Sequence, residues 1–323
     1  MIIIGTIASS GASRAALSVT YASNVANTSL ALGGIAGYVS GKSDITITIN
    51  SGIYLYSTST GTPGFALTGG ASGDTVKIVN NGFIMGMGGT SGNTNAEDQN
   101  GNPAGAGGPA ISLGFSVTID NTNANAYIGG GGGAGGAGGW NNKFTSATFN
   151  QSGGGGAGGG GSGNVITNTG TMAAGRSGGG VGSAGTTGAS NDFSGYASGG
   201  SGGRIFPGNT AAAVTGNTAN KGIGGTGGQA GGGGGVGTSS DLGTSGSSGG
   251  GGGWGASGGT GVGGQNIPVT GATGGGGSAA GGTATGNLGT CQVGAASGRA
   301  VALNGFSVTW TSGNTTRVYG AVS

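Results

Sequence analysis

Glycine recurs at every third position through Gly222, Gly225, Gly228, Gly231, Gly234 and Gly237, and again through Gly249, Gly252, Gly255, Gly258, Gly261 and Gly264. A period of three belongs neither to the α-helix nor to the β-strand. It is the period of the left-handed extended helix with three residues per turn. One face of each segment is therefore bare backbone, open to close approach by a neighbouring backbone. Ile223, Gln229, Val236, Trp254 and Val262 are interleaved with these glycines, and a flexible spacer has no use for them. Collagen is excluded, because it needs the repeat sustained with abundant proline. This chain has 5 prolines, and its runs break and restart in a new phase. The expectation is a bundle of polyglycine II helices folded back on one another in one chain. Their N–H groups would donate to neighbouring carbonyls, since this helix has no internal hydrogen bonds. At about 3.1 Å per residue, a run such as 222–237 spans roughly 50 Å.

Composition sharpens the same point. With 93 glycines in 323 residues and 33% hydrophobic residues, an ordinary apolar core cannot offset the backbone entropy lost on folding. Backbone hydrogen bonding must supply much of the order. Composition alone is equally compatible with a disordered Gly/Ser spacer, and the phase-locked glycines beside Trp, Ile and Val favour the ordered bundle. The net charge is +2, from nine basic and seven acidic residues, and the basic ones are spread singly, so no electrostatic footprint for nucleic acid or anionic lipid exists. The single Cys291 excludes an internal disulfide. Met1 to Ile7 is apolar but short, lacks a basic flank and does not read as a secretory signal. No other segment approaches the length of a membrane span, so no membrane insertion is expected.

Four regions follow. Residues 1–60 have nearly ordinary composition and read as a small N-terminal attachment domain. There Ala12 to Leu32 suits either a helix or short strands, while Ile45, Ile47 and Ile49 alternate with Thr46 and Thr48 as a half-buried strand. Residues 61–128 read as a layer of short strands with Gly/Asn turns, for example Thr75 to Val79, then Asn80-Asn81-Gly82, then Phe83 to Met85. Residues 129–290 hold the glycine runs and the variable loops between them. Residues 291–323 read as a closing β segment. Within this order one pattern repeats. Gly108-Pro109-Ala110-Ile111-Ser112-Leu113, followed by Phe115 to Asp120, matches Gly298-Arg299-Ala300-Val301-Ala302-Leu303, followed by Phe306 to Trp310, with one insertion at Asn304. Gly64-Phe65-Ala66-Leu67 is a weaker echo. The two copies bracket the glycine block, so matching β layers are expected beneath the bundle or at its two ends. In the run Gly129 to Gly139, Ala134 and Ala137 share one face, which suits a helix inside the bundle. Trp254 suggests an outer helix that covers something with its indole.

Catalytic chemistry is thinly represented. The chain has no histidine, which removes the commonest general base and the commonest transition-metal ligand. The only adjacent carboxylates, Glu97 and Asp98, sit in an Asn/Gly-rich stretch that reads as a solvated turn without the remaining ligands of a calcium loop. Ala36 to Ser43 satisfies a loosened phosphate-loop pattern. The segment after it is the strand Ile45 to Ile49 rather than the helix that chemistry needs, so the match is chance. Cys291 lacks a basic partner and reads as a packing residue. No cofactor and no metal are expected, and the chain does not read as an enzyme. The aromatics Phe144, Phe149, Phe193, Tyr196 and Phe206 fall in the loops between glycine runs. They form either local cores over the loop bases or recognition surfaces displayed by a rigid scaffold.

Taken in order, Asn80 to Gly89, Gly107 to Ile111, Tyr127-Ile128 running into Gly129 to Gly139, and Gly251-Gly252-Gly253-Trp254-Gly255 resemble the distal tail-fibre adhesins of T-even-type bacteriophages. The resemblance covers about residues 80 to 310. It implies a polyglycine II bundle whose intervening segments bind a receptor on the bacterial surface, either an outer-membrane protein or a surface glycan. It also implies a second partner, the phage tail fibre or tail tip protein that the N-terminal domain docks on, although residues 1–60 do not resemble the docking domain of that family. Carried over by position, Asn142, Lys143, Phe144, Phe149, Phe193, Tyr196, Arg204 and Phe206 are the expected receptor-binding residues. The implied location is the distal end of the virion's tail or tail fibre, after synthesis in the host cytoplasm. The alternative reading is a glycine-rich structural filament or surface-layer protein without specific receptor binding.

Overall fold

A computed structural model of the chain describes residues 14–89, 105–135, 252, 254–257, 295–311 and 317–323, together with the backbone of 2–7. Their regular structure is almost entirely β, and their one helical turn is the 3-10 segment Leu32–Gly34. Strand β1 (Ile2–Ile7) is followed by five turns of chain. The first contains β2 (Ala15–Tyr21), β3 (Val25–Ala26) and β4 (Thr28–Ala31), and the second β5 (Ser43–Ile49), β6 (Tyr54–Tyr56) and β7 (Phe65–Thr68). The third contains β8 (Thr75–Asn80), β9 (Phe83–Met85) and β10 (Ile111–Leu113), and the fourth β11 (Val117–Asp120), β12 (Tyr127–Gly129) and β13 (Val301–Ala302). The fifth contains β14 (Val308–Trp310) and β15 (Val318–Tyr319), and closes with Val322 bridged in parallel to Val301.

Each turn gives one strand to each of three sheets. Their orders are β1-β2-β5-β8-β11-β14, β3-β6-β9-β12-β15 and β4-β7-β10-β13. Every neighbouring pair is parallel except β1 with β2. The chain therefore winds as a three-sided parallel β-helix. Alternation decides which residues face inward, because successive side chains leave opposite faces of a strand. In β5 the inward positions Ser43, Ile45, Ile47 and Ile49 are buried, and Asp44, Thr46 and Thr48 are half-buried on the outside.

In-register parallel pairing then stacks like on like. Val19, Ile47, Ile78, Ile119 and Trp310 are successive partners down the first sheet. Val25, Leu55, Ile84, Ile128 and Val318 form the column of the second sheet, and Thr28, Phe65, Ile111 and Val301 one column of the third. The interior members Ile47, Ile78, Leu55, Ile84, Phe65 and Ile111 are fully buried. Tyr21 closes this core with its ring edge-on to Phe65, at 6.0 Å between centroids.

Several sequence expectations change here. The segment Ala12 to Leu32, open between helix and strand, forms strands β2 to β4 from residue 15 onward. The small separate N-terminal unit expected over 1–60 is not set apart by its hydrogen bonding. β4, β5 and β6 pair directly with β7, β8 and β9, so all three sheets run across position 60. Asn80-Asn81-Gly82 does turn the chain, but it forms a corner between two sheets, and β8 and β9 do not pair with each other. The repeated pattern is most informative. Its two copies are neighbours within the same sheets rather than layers set apart by the glycine block, with Ile111 opposite Val301 and Val117 opposite Val308. The extra residue, Asn304, sits at φ 50 in the turn between β13 and β14, and Gly64-Phe65-Ala66-Leu67 lies in the adjoining turn with Phe65 opposite Ile111.

Candidate functional site

One corner of the β-helix carries nearly all its variation in length. Passing from the second sheet to the third, the first turn uses Asn27 alone, at φ 48. The second turn uses residues 57–64, the third 86–110 and the fourth 130–300. Since β12 and β13 belong to one turn, the fourth excursion must leave and return at that same corner. Its described parts, 130–135, 252, 254–257 and 295–300, show how it is anchored.

Residues 130–135 are all buried and run through the middle of this base. Gly86 N donates to Gly129 O at 2.9 Å, and Gly89 N to Gly132 O at 2.9 Å. On another side Gly131 N donates to Gly108 O at 2.8 Å, and Ala134 N to Gly105 O at 3.1 Å. Gly298 N donates to Gly131 O at 2.7 Å, and Ala295 N to Ala134 O at 2.8 Å. Gly252 N donates to Gly133 O at 2.7 Å, and Gly255 N to Gly130 O at 2.9 Å. Along each of these four neighbours, successive bonds step by three residues. Glycine permits the spacing, because a methyl group on Gly131 would fall on the carbonyl of Met87, and one on Gly107 on the carbonyl of Gly131.

Beside this base the outer face of the second sheet carries an aromatic ladder. Tyr54 stacks on Phe83 with centroids 4.5 Å apart and planes 9° from parallel, and Phe83 on Tyr127 at 5.7 Å and 2°. Tyr319 continues the stack at 6.1 Å from Tyr127. The neighbouring outward row reads Tyr56, Met85, Gly129, Tyr319 in register, so Gly129 leaves a notch. Trp254 fills it. Its indole is fully buried, lies 6.2 Å from Tyr127 and 6.3 Å from Tyr319, and packs with buried Met85. The expectation of an indole covering something is met by a partner the sequence did not name. Burial raises the Tyr319 phenol above its ordinary range.

Polar groups at this end are structural. Arg317 donates to the carbonyls of Ala126 at 3.0 Å, Asn121 at 2.7 Å and Thr122 at 3.2 Å, which fastens the fifth turn to the fourth. Buried Asn80 donates to Asn121 at 2.8 Å, one turn further on. Asp120 pairs with Lys77 at 3.0 Å, and that ammonium with the Thr122 hydroxyl holds its carboxyl below the usual range. No group of three or more metal-ligating side chains occurs among the described residues. The chance phosphate-loop match ends in β5, where Ser43 is buried and donates its N–H to Asp74.

The expected receptor-binding residues Asn142, Lys143, Phe144, Phe149, Phe193, Tyr196, Arg204 and Phe206 lie outside the described residues, as do Cys291, the Glu97-Asp98 turn and the run 222–237. All eight fall in sequence between Ala134 and Gly252, two residues of the described base. Sequence reasoning looked for aromatics in the loops and missed the ladder. Its signal was the recurring triplets Tyr54-Leu55-Tyr56, Phe83-Ile84-Met85 and Tyr127-Ile128-Gly129.

A family model described as phage tail fibre adhesin Gp38 matches residues 16–231, from the first turn of the β-helix well into the long insertion. The chain belongs to this adhesin family. Neither curated proteins nor solved structures match the chain. The adhesin is thus a bacteriophage tail-fibre protein of the virion tail, with a role in attachment to the host surface. The matched span of this adhesin includes the outgoing part of the insertion's base, residues 130–135, and all eight expected recognition residues, while 252–257 and 295–300 lie beyond it.

Proposed function

We propose that the adhesin recognises its host receptor through the segments that interrupt its glycine runs, held on a bundle of polyglycine II helices at the distal end of a T-even-type tail fibre. The observation that carries this reading is the three-residue step of the hydrogen bonds linking 129–134 to its four neighbours. That step is the signature of a threefold extended helix whose N–H groups all point outward. Runs 153–163, 178–188, 222–237 and 274–282 would extend the lattice, and the loops between them would enter and leave it at fixed points. Loops with fixed ends lose less freedom on binding. Phe144, Phe149, Phe193, Tyr196 and Phe206 would supply apolar burial, with Asn142, Lys143 and Arg204 giving directional polar contacts to an outer-membrane protein or a surface glycan. Residues 1–60 would dock the adhesin on the fibre after both are made in the host cytoplasm. Binding is noncovalent, without catalysis or cofactor.

The test is adsorption of the purified chain to whole host bacteria, in competition with the phage. Saturable binding that Phe144→Ala or Phe206→Ala weakens, with an unchanged melting curve, supports the assignment. A chain that assembles into fibres and shows no affinity for cells overturns it in favour of a structural filament.

A further inference from the structure

Residues 252 and 254–257 pack on the β-helix and seat one large side chain there. The indole of Trp254 lies over Gly129, where a Cβ would meet its Cδ2 at 2.7 Å, its Cε3 at 2.8 Å and its Cγ at 2.9 Å. Those three indole atoms are the nearest a methyl group at Gly129 would meet, so the space left by the missing side chain is filled by this ring. The rows beside the notch are built of larger residues, Met85 in the turn before and Tyr319 in the turn after. The backbone fits as closely as the ring. Gly255, at φ +59, lies so close to Tyr319 and Gly320 that a side chain there would strike their main chain. Gly252 N and Gly255 N reach back to Gly133 O and Gly130 O, and Gly133 N donates to Ala256 O at 3.0 Å.

We propose that Trp254 and Gly129 form a clasp that fixes the orientation in which the insertion presents its receptor-binding segments. Trp254 is thus a positioning residue for recognition without itself touching the receptor. This rests on the reading that those segments lie in the insertion. The physical case is one of leverage. The glycine segments meet through backbone hydrogen bonds that repeat every three residues, and such a lattice can slip by one repeat at little cost. A side chain that fits one notch removes that freedom. The clasp pins the insertion between the segments 136–251 and 258–294, and locks one register of 252–257 against 130–133.

The test uses the full chain in four forms: Gly129→Ala, Trp254→Ala, the double variant, and Trp254→Phe. Readouts are the far-UV melting curve, tryptophan emission with the Trp254→Phe protein as the difference reference, and adsorption to host cells. Gly129→Ala keeps every aromatic residue but fills the notch. It should shift the Trp254 emission to the red, leave the β-helix melting curve in place and weaken cell binding about tenfold, as when the competent arrangement falls to about a tenth. Trp254→Ala should weaken binding as much. The double variant should bind no worse than Trp254→Ala, because the added methyl then meets empty space. Trp254→Phe should retain most of the binding. Wild-type adsorption by Gly129→Ala and Trp254→Ala, or additive losses in the double variant, would overturn the clasp. Absence of adsorption by the wild-type chain would instead sink the display reading itself, and the clasp with it.

Discussion

Ile111 and Val301 are register partners on adjacent parallel strands, and residues 112–300 of the sequence lie between them. The long insertion is therefore an excursion from one turn of a finished β-helix. Its two ends are joined where Gly298 donates to Gly131 at 2.7 Å. An attachment protein gains from this arrangement. Variable segments can change in length and composition while the turns above and below keep their pairing, since long loops add only slowly to the entropic cost of closure.

Replacing residues 132–297 with a short glycine-serine linker should leave the β-helix folded. The expected product keeps a strand-type far-UV spectrum and a cooperative melt, and it loses adsorption to host cells. Loss of the spectrum would mean that the insertion holds the turns together.

The glycine base should be intolerant of a single methyl group. Gly131→Ala places Cβ on the carbonyl of Met87 and should cost about 3 kcal/mol, as overpacking of a close backbone contact does. Gly52 is the control, because at φ +74 it has nothing within 4 Å. Gly52→Ala should cost roughly 1 kcal/mol, from backbone strain alone. Denaturant unfolding of the two variants checks the contrast.

Ile78 is fully buried in the column Ile47-Ile78-Ile119, with a partner in the turn on each side. Ile78→Ala should destabilise the β-helix by about 3 kcal/mol, since rigid neighbouring turns cannot collapse into the cavity. An effect under about 1 kcal/mol in chemical denaturation would contradict so tightly stacked a core.

Alkaline pH should loosen the first turns. Burial pushes the Tyr21 phenol up to about 12. Its unfolded value is about 10, so the folded state holds the proton more tightly. The stability this contributes is complete below about pH 10 and is lost as pH rises towards 12, up to about 3 kcal/mol. Melting temperatures across that window should fall less steeply in Tyr21→Phe. Some slope should remain, because the Tyr319 phenol is raised in the same direction by burial.

Much of the strand layer was legible, because inward alternation such as Ile45-Thr46-Ile47-Thr48-Ile49 is local and strict. The match between 108–113 and 298–303 identified two strands that lie side by side, and even the odd residue Asn304 was visible as a break in the pattern. What the pattern did not convey was the winding. Alternation is the same in a hairpin, a layer or a β-helix, and Asn80-Asn81-Gly82 turns the chain equally well in each. The ladder Tyr54-Phe83-Tyr127-Tyr319 was hidden for a related reason. Its rings meet across turns, and the last two are separated by the whole insertion.

By itself the sequence determined the chemistry of the parts: bare glycine backbone in period three, strands with one apolar face, and no histidine for catalysis. Those are properties of short windows, set by sterics and by the presence or absence of functional groups. Only the tertiary structure decided that strands from both sides of the glycine block wind into one β-helix, that the two longest excursions leave by one corner, and that Trp254 comes to rest on Gly129. Those are decisions between distant segments, made by which turns stack in register and by where a missing side chain leaves room for an indole.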